Sequence, residues 1–205
     1  MMPLPWIMVF FPWVGALILL ALPRLRIAAA VNIGCAGVSF ILALALFTLP
    51  HGEQGWTRID ALNLPFVLLA SFVALTTSIF SAATLVHEGF DHWRIRAYHG
   101  AFQVFLGAHY LALLSDNLGI LWVAIEIATL ASVLMVAVHR TPAAMEAAWK
   151  FFMLCGFGIA LALFGTILLY SAAQALLDAE SGLSWAALKR VAARCDADTL
   201  NLAFV

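Results

Sequence analysis

The chain is poor in charged residues, which make up only 10% of its 205 positions, whereas a soluble globular domain carries about 25%. Apolar residues make up 65% of the sequence, and the mean hydropathy is +1.03. The formal net charge of -1 at pH 7 excludes the basic surface that binding to nucleic acid needs. The composition therefore predicts an integral membrane protein without a nucleic-acid partner.

Cysteine is also scarce, and its spacing excludes the common metal sites. Cys35, Cys155 and Cys195 lie far apart, without a C-x-x-C pair for zinc or an iron–sulfur cluster and without a compact disulfide framework. A b-type haem needs paired histidines at matching depth on facing spans, and His109 is the one histidine that we expect deep in the membrane. We therefore expect no metal and no redox cofactor in this chain.

Six apolar runs reach the roughly 17 to 25 residues that a helix needs to cross a hydrocarbon core. They predict membrane-spanning helices at 3–22, 27–49, 62–86, 98–114, 118–138 and 144–173. The predicted fold is an all-α integral membrane protein, with six transmembrane helices in a bundle at 1–174. A polar linker at 175–198, with a candidate interfacial helix at 184–195, leads into the start of a seventh span at 199–205.

The connections between the runs are short and polar. Residues 51–60 and 87–99 are predicted loops, and the second of them is the most charged segment between spans. Ser115-Asp116-Asn117 forms a turn so tight that the fourth and fifth spans must be antiparallel neighbours. Helix capping explains the aspartate and the asparagine in this turn.

Arginine is distributed unevenly between the two sides of the predicted bundle. Five arginines follow the first, third and fifth spans: Arg24, Arg26, Arg94, Arg96 and Arg140. The opposite side has only Arg58 between spans, and the positive-inside rule therefore places the N-terminus outside. Three basic residues of the linker oppose this bias: Lys189, Arg190 and Arg194.

The fifth span, LGILWVAIEIATLASVLMVAV, carries one ionisable residue, Glu126, near its middle. A carboxylate at that depth costs on the order of 3 kcal/mol unless it is paired, hydrated or protonated. Thr129 shares a helix face with Glu126, and Ser132 lies partway round, so the three make a short polar stripe. A proton or ion site explains this pattern, and the alternative is a protonated structural carboxyl bonded to a neighbour.

Two further residues are candidates for the same site. Lys150 lies near the start of the sixth helix, and counting along the two antiparallel helices puts it within about 7 Å of the depth of Glu126. One or two waters would then join the two groups, although a lysine near a helix start can also simply reach the interface. His109 in the fourth span is either a core histidine bonded to a neighbouring helix or a relay element.

The stretch DNLGILWVAIEIATLASVLMVAVHRTPAAMEAAWKFF resembles the fifth and sixth spans of the antiporter-like proton-translocating subunits of complex I, Mrp antiporters and membrane-bound hydrogenases. Together with GIALALFGTILLY, the sequence of this stretch most resembles that of hydrogenase-4 component F. The resemblance covers essentially the whole chain and is most specific from Asp60 onward. It implies that Glu126 is a principal protonatable residue and that Lys150 occupies a recurrent lysine position.

The resemblance implies a proton-translocating subunit of a respiratory-type or hydrogenase complex in the bacterial inner membrane, with Glu126 as the intramembrane proton carrier. Such a chain is a non-redox subunit of an oxidoreductase complex, and its partners are other membrane-arm subunits. Family members continue into a seventh, broken span with a buried lysine and then into inverted repeats, so we expect a fragment or split product. A membrane scaffold that translocates nothing and a sodium/proton antiporter subunit remain alternatives.

Overall fold

The computed structural model describes residues 4–21, 25–50, 52–54, 56–178 and 181–204. In chain order the described elements are α1 (Leu4–Ala21), α2 (Leu25–Leu46), β1 (Gly52–Gln54), β2 (Thr57–Ile59), α3 (Asn63–His87), α4 (His92–Leu114), α5 (Leu118–Ala137), α6 (Pro142–Ala173), α7 (Trp185–Val191), a single 3₁₀ turn (Ala192–Arg194) and α8 (Ala197–Ala203). The predicted ends of the first span at residues 3 and 22, Arg24, and the predicted chain end at 205 lie outside the described residues. The prediction of an all-α membrane protein is confirmed.

Five of the described helices are long and apolar enough to cross a membrane, namely α1, α2 from Ile27, α3, α5 and α6. The predicted fourth span corresponds to α4, which is 23 residues or about 34 Å long but is not among these five. It begins at His92, six residues before the predicted start at 98, and so includes residues that the sequence assigns to a polar loop. Asp91 caps it by accepting a hydrogen bond from the Arg94 amide at 2.8 Å.

α4 is less apolar than its neighbours because other helices surround it. It packs against α1, α2, α3 and α5, and His99, Gln103 and Tyr110 on it are fully buried. A helix covered by protein needs no continuous apolar surface, whereas a helix that faces lipid does. Composition alone therefore underestimates how deep α4 lies in the bundle.

The contact between α1 and α4 depends on a glycine. A Cβ atom on Gly107 would lie 2.4 Å from Nε1 of Trp13 and 2.9 Å from the carbonyl oxygen of Val9. Because the two helices are this close, the Trp13 indole donates a hydrogen bond to the Val104 carbonyl at 3.2 Å. Around this contact, Met8, Val9 and other apolar side chains of α1 to α4 form the main hydrophobic core.

The residues between α2 and α3 form a small antiparallel hairpin, in which β1 pairs with β2, where the sequence predicts a loop. The hairpin lies against the α4–α5 turn, because Thr57 forms an isolated bridge with Ser115. Asn117 caps α5 as predicted, since its side chain accepts hydrogen bonds from the amides of Gly119 and Ile120. Asp116 does more than cap a helix, because it connects three separate segments.

Asp116 lies almost fully buried at the junction of the hairpin, the α4–α5 turn and α7. Its amide donates to the Trp56 carbonyl at 2.9 Å, and its carbonyl accepts from the Trp185 amide at 2.7 Å. Its carboxylate accepts a hydrogen bond from the Ser184 hydroxyl and lies 3.8 Å from the guanidinium of Arg58. The linker that the sequence predicts as largely polar is therefore fixed to the bundle at its α7 end.

Candidate functional site

Glu126 is half-buried in the middle of α5. Among the described residues, none forms a hydrogen bond or an ion pair with its carboxylate. At about 100° per residue, Glu126 lies about 160° round the helix from Ala124 and about 140° from Ala131, the two residues that α5 buries. The carboxylate thus points away from the α4 side of α5.

The other members of the predicted polar stripe differ in what they contact. The Ser132 hydroxyl donates to the Ala128 carbonyl at 2.9 Å, one turn earlier on the same helix. Ser132 also lines a cavity of about 440 Å³ together with Tyr98 of α4 and His139, two residues beyond the end of α5. Thr129 is half-buried. The structure therefore places the three stripe residues on neighbouring faces of α5 without joining them by hydrogen bonds.

Lys150 forms an ion pair with Glu146, one turn earlier on α6. The two side chains are 67% and 65% exposed, respectively. Within the described part of the chain, no hydrogen bond joins Lys150 to Glu126. The water-bridged pair of these two residues remains a prediction.

His109 is half-buried and stacks on Phe105, with a distance of 5.6 Å between the ring centroids. Among the described histidines, the one that the bundle buries completely is instead His99. The sequence predicts His109 as the one deep histidine because it takes α4 to begin near residue 98, which leaves His99 at the membrane surface. With α4 beginning at His92, His99 lies two turns inside the helix.

His99 belongs to a set of buried polar residues that we call the polar file: Asn32 and Ser39 of α2, Ser71 of α3, and His99, Gln103 and Tyr110 of α4. Gln103 donates through Nε2 to Oδ1 of Asn32 at 2.8 Å. The hydroxyls of Tyr110 and Ser71 are hydrogen-bonded at 2.8 Å. Spacings of four and seven residues put the three members on α4 on one helix face. This spacing was the feature of the sequence from which a buried polar face of α4 could have been predicted.

Several metal-binding residue types occur in the chain, but the fold keeps them apart. In the part of the chain that the structure describes, no three His, Cys, Asp or Glu side chains come close enough to hold one metal ion. The described cysteines, Cys35, Cys155 and Cys195, are all free thiols. The expectation that the chain carries no redox cofactor remains a prediction.

Comparison with known proteins confirms the resemblance that the sequence indicates, although no family model matches the chain. The hydrogenase-4 component F homolog of Methylacidiphilum infernorum (isolate V4) is 38% identical over 202 residues, which are 96% of this chain and 42% of that protein. The chain therefore spans less than half the length of this curated relative.

The fold of the chain also occurs in a solved structure. A chain of the membrane-bound sulfane sulfur reductase, an archaeal respiratory membrane complex, superposes with a TM-score of 0.74. The match covers 98% of this chain and 41% of the other, at 20% sequence identity. The helices thus have the arrangement found in part of that chain, and this chain is a multi-pass membrane protein.

Proposed function

We propose that the chain is part of a proton-translocating membrane subunit in a respiratory-type or hydrogenase complex, and that Glu126 carries the proton. The resemblance to a hydrogenase-4 component F homolog supports the subunit class. The position of Glu126 supports its proposed role. Its carboxyl is half-buried in the middle of a spanning helix and has no partner among the described residues.

A carboxyl in such a place is suited to proton transfer because, among the described residues, no hydrogen bond or ion pair holds it. Burial disfavours the ionised form of a carboxyl, while a nearby cation or water favours it. A modest movement of charge or water next to Glu126 would therefore load or release a proton. Redox chemistry in partner subunits would supply that movement through charges displaced along the membrane.

The partner subunits that this function needs would bind helix faces that are open in this chain. Gly156 and Gly158 on α6 have open space where a Cβ atom would lie. Gly165 on the same helix is already in use, since a Cβ there would lie 2.7 Å from the Ala203 carbonyl of α8. Small residues let backbones approach closely in membranes, so α6 offers a surface for another hydrophobic helix.

Proton uptake by inverted membrane vesicles tests the function directly, in the full-length protein assembled with its partners. Glu126→Gln keeps the shape of the side chain and its hydrogen bonding but cannot exchange a proton, so we expect uptake to be abolished while the complex still assembles. Glu126→Asp should retain part of the activity. Glu88→Gln is the matched control, since Glu88 is an exposed glutamate at the end of α3.

The outcome that contradicts the proposal is wild-type proton uptake by an assembled Glu126→Gln complex. Glu126 would then be a structural carboxyl, and a scaffold role for this part of the subunit would follow if no other variant affects uptake either. Uptake that requires sodium in the wild-type protein would instead assign a sodium/proton antiporter. A blot for the complex separates loss of function from loss of assembly.

A further inference from the structure

A groove of about 820 Å³ opens between α4 and α5, and we call it the arginine groove. Its walls come from α1, α4, α5 and the first turn of α6, and they are apolar along most of their length. One end is different, because it holds Trp93 and Arg94 of α4 and Arg140, which lies between α5 and α6. This end lies on the side of the bundle where α4 and α6 begin.

Small residues on α4 create the space. Ala97, Gly100, Ala101 and Val104 recur at spacings of three and four residues, so they lie on one helix face, and all four line the groove. The facing wall on α5 has larger apolar side chains, of which Leu134 is 64% exposed. The groove is therefore open along α5 in this chain.

The groove is about as long as one leaflet of the bilayer is thick. The rise along α4 from Arg94 to Val104 is about 15 Å, and the rise along α5 from Ile127 to Ala137 is also about 15 Å. Half of a hydrocarbon core measures roughly the same. The groove thus extends from the membrane surface at the arginines to about the midplane.

The surface end of the groove is positively charged. The described residues that line the groove include two arginines and no carboxylate. Arg140 forms no ion pair with the described residues. Arg94 lies 3.6 Å from Asp91, but that carboxylate is 59% exposed, and an exposed pair of this kind is weak. Both guanidinium groups therefore have N–H donors for an anion at this end.

We propose that the arginine groove binds one anionic phospholipid, with its phosphate at Arg94 and Arg140 and an acyl chain along the apolar wall. Guanidinium groups bind phosphate oxygens through charge-assisted hydrogen bonds. Trp93, at the same end, is suited to the headgroup level of a membrane. The arginines lie on the predicted cytoplasmic side, where anionic lipids attract basic residues. The bound lipid would link the start of α4 to the start of α6.

The dimensions favour a lipid over a helix of another protein segment. A spanning helix is about 10 Å across and about 30 Å long, and so occupies about 2,400 Å³, roughly three times the volume of the groove. Such a helix would also continue past the midplane, where the groove ends. An acyl chain is thinner and stops within its own leaflet. Lipid binding does not rest on the proposed function, because it requires no proton transfer.

Native mass spectrometry of the full-length protein in mild detergent measures the binding of added phospholipid. We expect the wild-type protein to retain phosphatidylglycerol in preference to phosphatidylcholine. Arg94→Gln/Arg140→Gln should weaken the retention of phosphatidylglycerol by about tenfold or more, since each cation near an anionic headgroup contributes. Lys189→Gln/Arg194→Gln is the matched control, because it removes two exposed cations that do not line the groove.

Photolabelling locates the acyl chain in the same full-length protein. Phosphatidylglycerol with a diazirine in its acyl chain, supplied in phosphatidylcholine vesicles, should label residues 127–137 of α5. Ala97→Phe fills the groove and should reduce this label severalfold. Ala83→Phe, at an exposed alanine on α3, should leave it unchanged.

Three results would overturn the lipid site. The first is equal retention of phosphatidylglycerol and phosphatidylcholine by the wild-type protein. The second is equal loss of phosphatidylglycerol in the arginine variant and in its matched control. The third is absence of label at 127–137 in the wild-type protein, which would show that another protein segment covers the groove. None of these results depends on proton uptake by Glu126→Gln.

Discussion

The hydroxyl of Ser184 donates a hydrogen bond to Oδ2 of Asp116, although the two residues are 68 positions apart in the chain. Ser184 is also the N-cap of α7, where it accepts from the Ala187 amide. The same Asp116 carboxylate accepts from the Ala186 amide at 3.3 Å. One buried carboxylate therefore holds the start of α7 against the α4–α5 turn.

Replacing Asp116 should release α7 from the bundle. We expect Asp116→Ala to destabilise the protein by about 2–3 kcal/mol, because hydrogen bonds to a charged group are lost and their donors remain. Trypsin should then cleave the exposed α7 at Lys189 and Arg190 more rapidly, which gel analysis of detergent-solubilised protein measures. Asp178→Asn is the control, since Asp178 is an exposed aspartate in the same linker. Equal cleavage rates for the two variants would contradict the role of Asp116.

Close packing of α1 on α4 gives a second prediction. A methyl group at Gly107 would overlap the Trp13 indole and the Val9 carbonyl, so Gly107→Ala should cost about 1–3 kcal/mol through overpacking. Gly156→Ala on α6 adds the same methyl group to open space and should change little. Thermal unfolding in detergent, followed by loss of soluble protein, compares the two. A melting temperature for Gly107→Ala equal to that of Gly156→Ala would show that the helices are farther apart.

The orientation in the membrane follows from the arginine bias and remains a prediction. In a cysteine-free background, His92→Cys at the start of α4 should react with a membrane-impermeant maleimide only from the cytoplasmic side. Trp56→Cys in the hairpin should react only from the other side. Both positions are exposed, and Gly89 is less suitable because its φ of +72° favours glycine. Exchanged labelling of the two cysteines would reverse the orientation.

The apolar runs predicted the long helices because a membrane span must be continuous and apolar wherever it faces lipid. The same reasoning failed at α4, since a helix enclosed by four others can start with His92, Trp93 and Arg94 and still enter the bundle. The prediction of His109 as the one deep histidine was wrong for that reason. The distance from a helix end decides depth, and the sequence placed that end six residues too late.

Contacts between segments that are far apart in the chain could not be predicted from the sequence. Nothing local indicates that Asp116 bonds to Ser184, or that Gln103 bonds to Asn32, because such pairs depend on how the helices pack. The ion pair of Lys150 with Glu146, by contrast, has the i, i+4 spacing that a helix brings together. The longer-range pairing of Lys150 with Glu126 remains a prediction.

Proton uptake by variants of Lys150 and Glu146 tests whether Lys150 acts on Glu126 or only pairs with Glu146. An exposed ion pair contributes only about 0–1 kcal/mol, so breaking it by Glu146→Gln leaves the fold intact and frees the Lys150 ammonium. If Lys150 acts on Glu126, Lys150→Ala should lower proton uptake strongly, and Glu146→Gln should also change the rate. The double variant should then match Lys150→Ala, because Glu146 acts only through the lysine.

Lys150→Arg keeps the charge and should retain more activity than Lys150→Ala if the charge is what matters. Initial rates of proton uptake in vesicles, normalised to assembled complex on a blot, give the double-mutant cycle directly. Rates within about twofold of wild type for Lys150→Ala, Glu146→Gln and the double variant would mean that Lys150 and Glu146 form only a surface pair. Glu126 would then exchange its proton without help from Lys150.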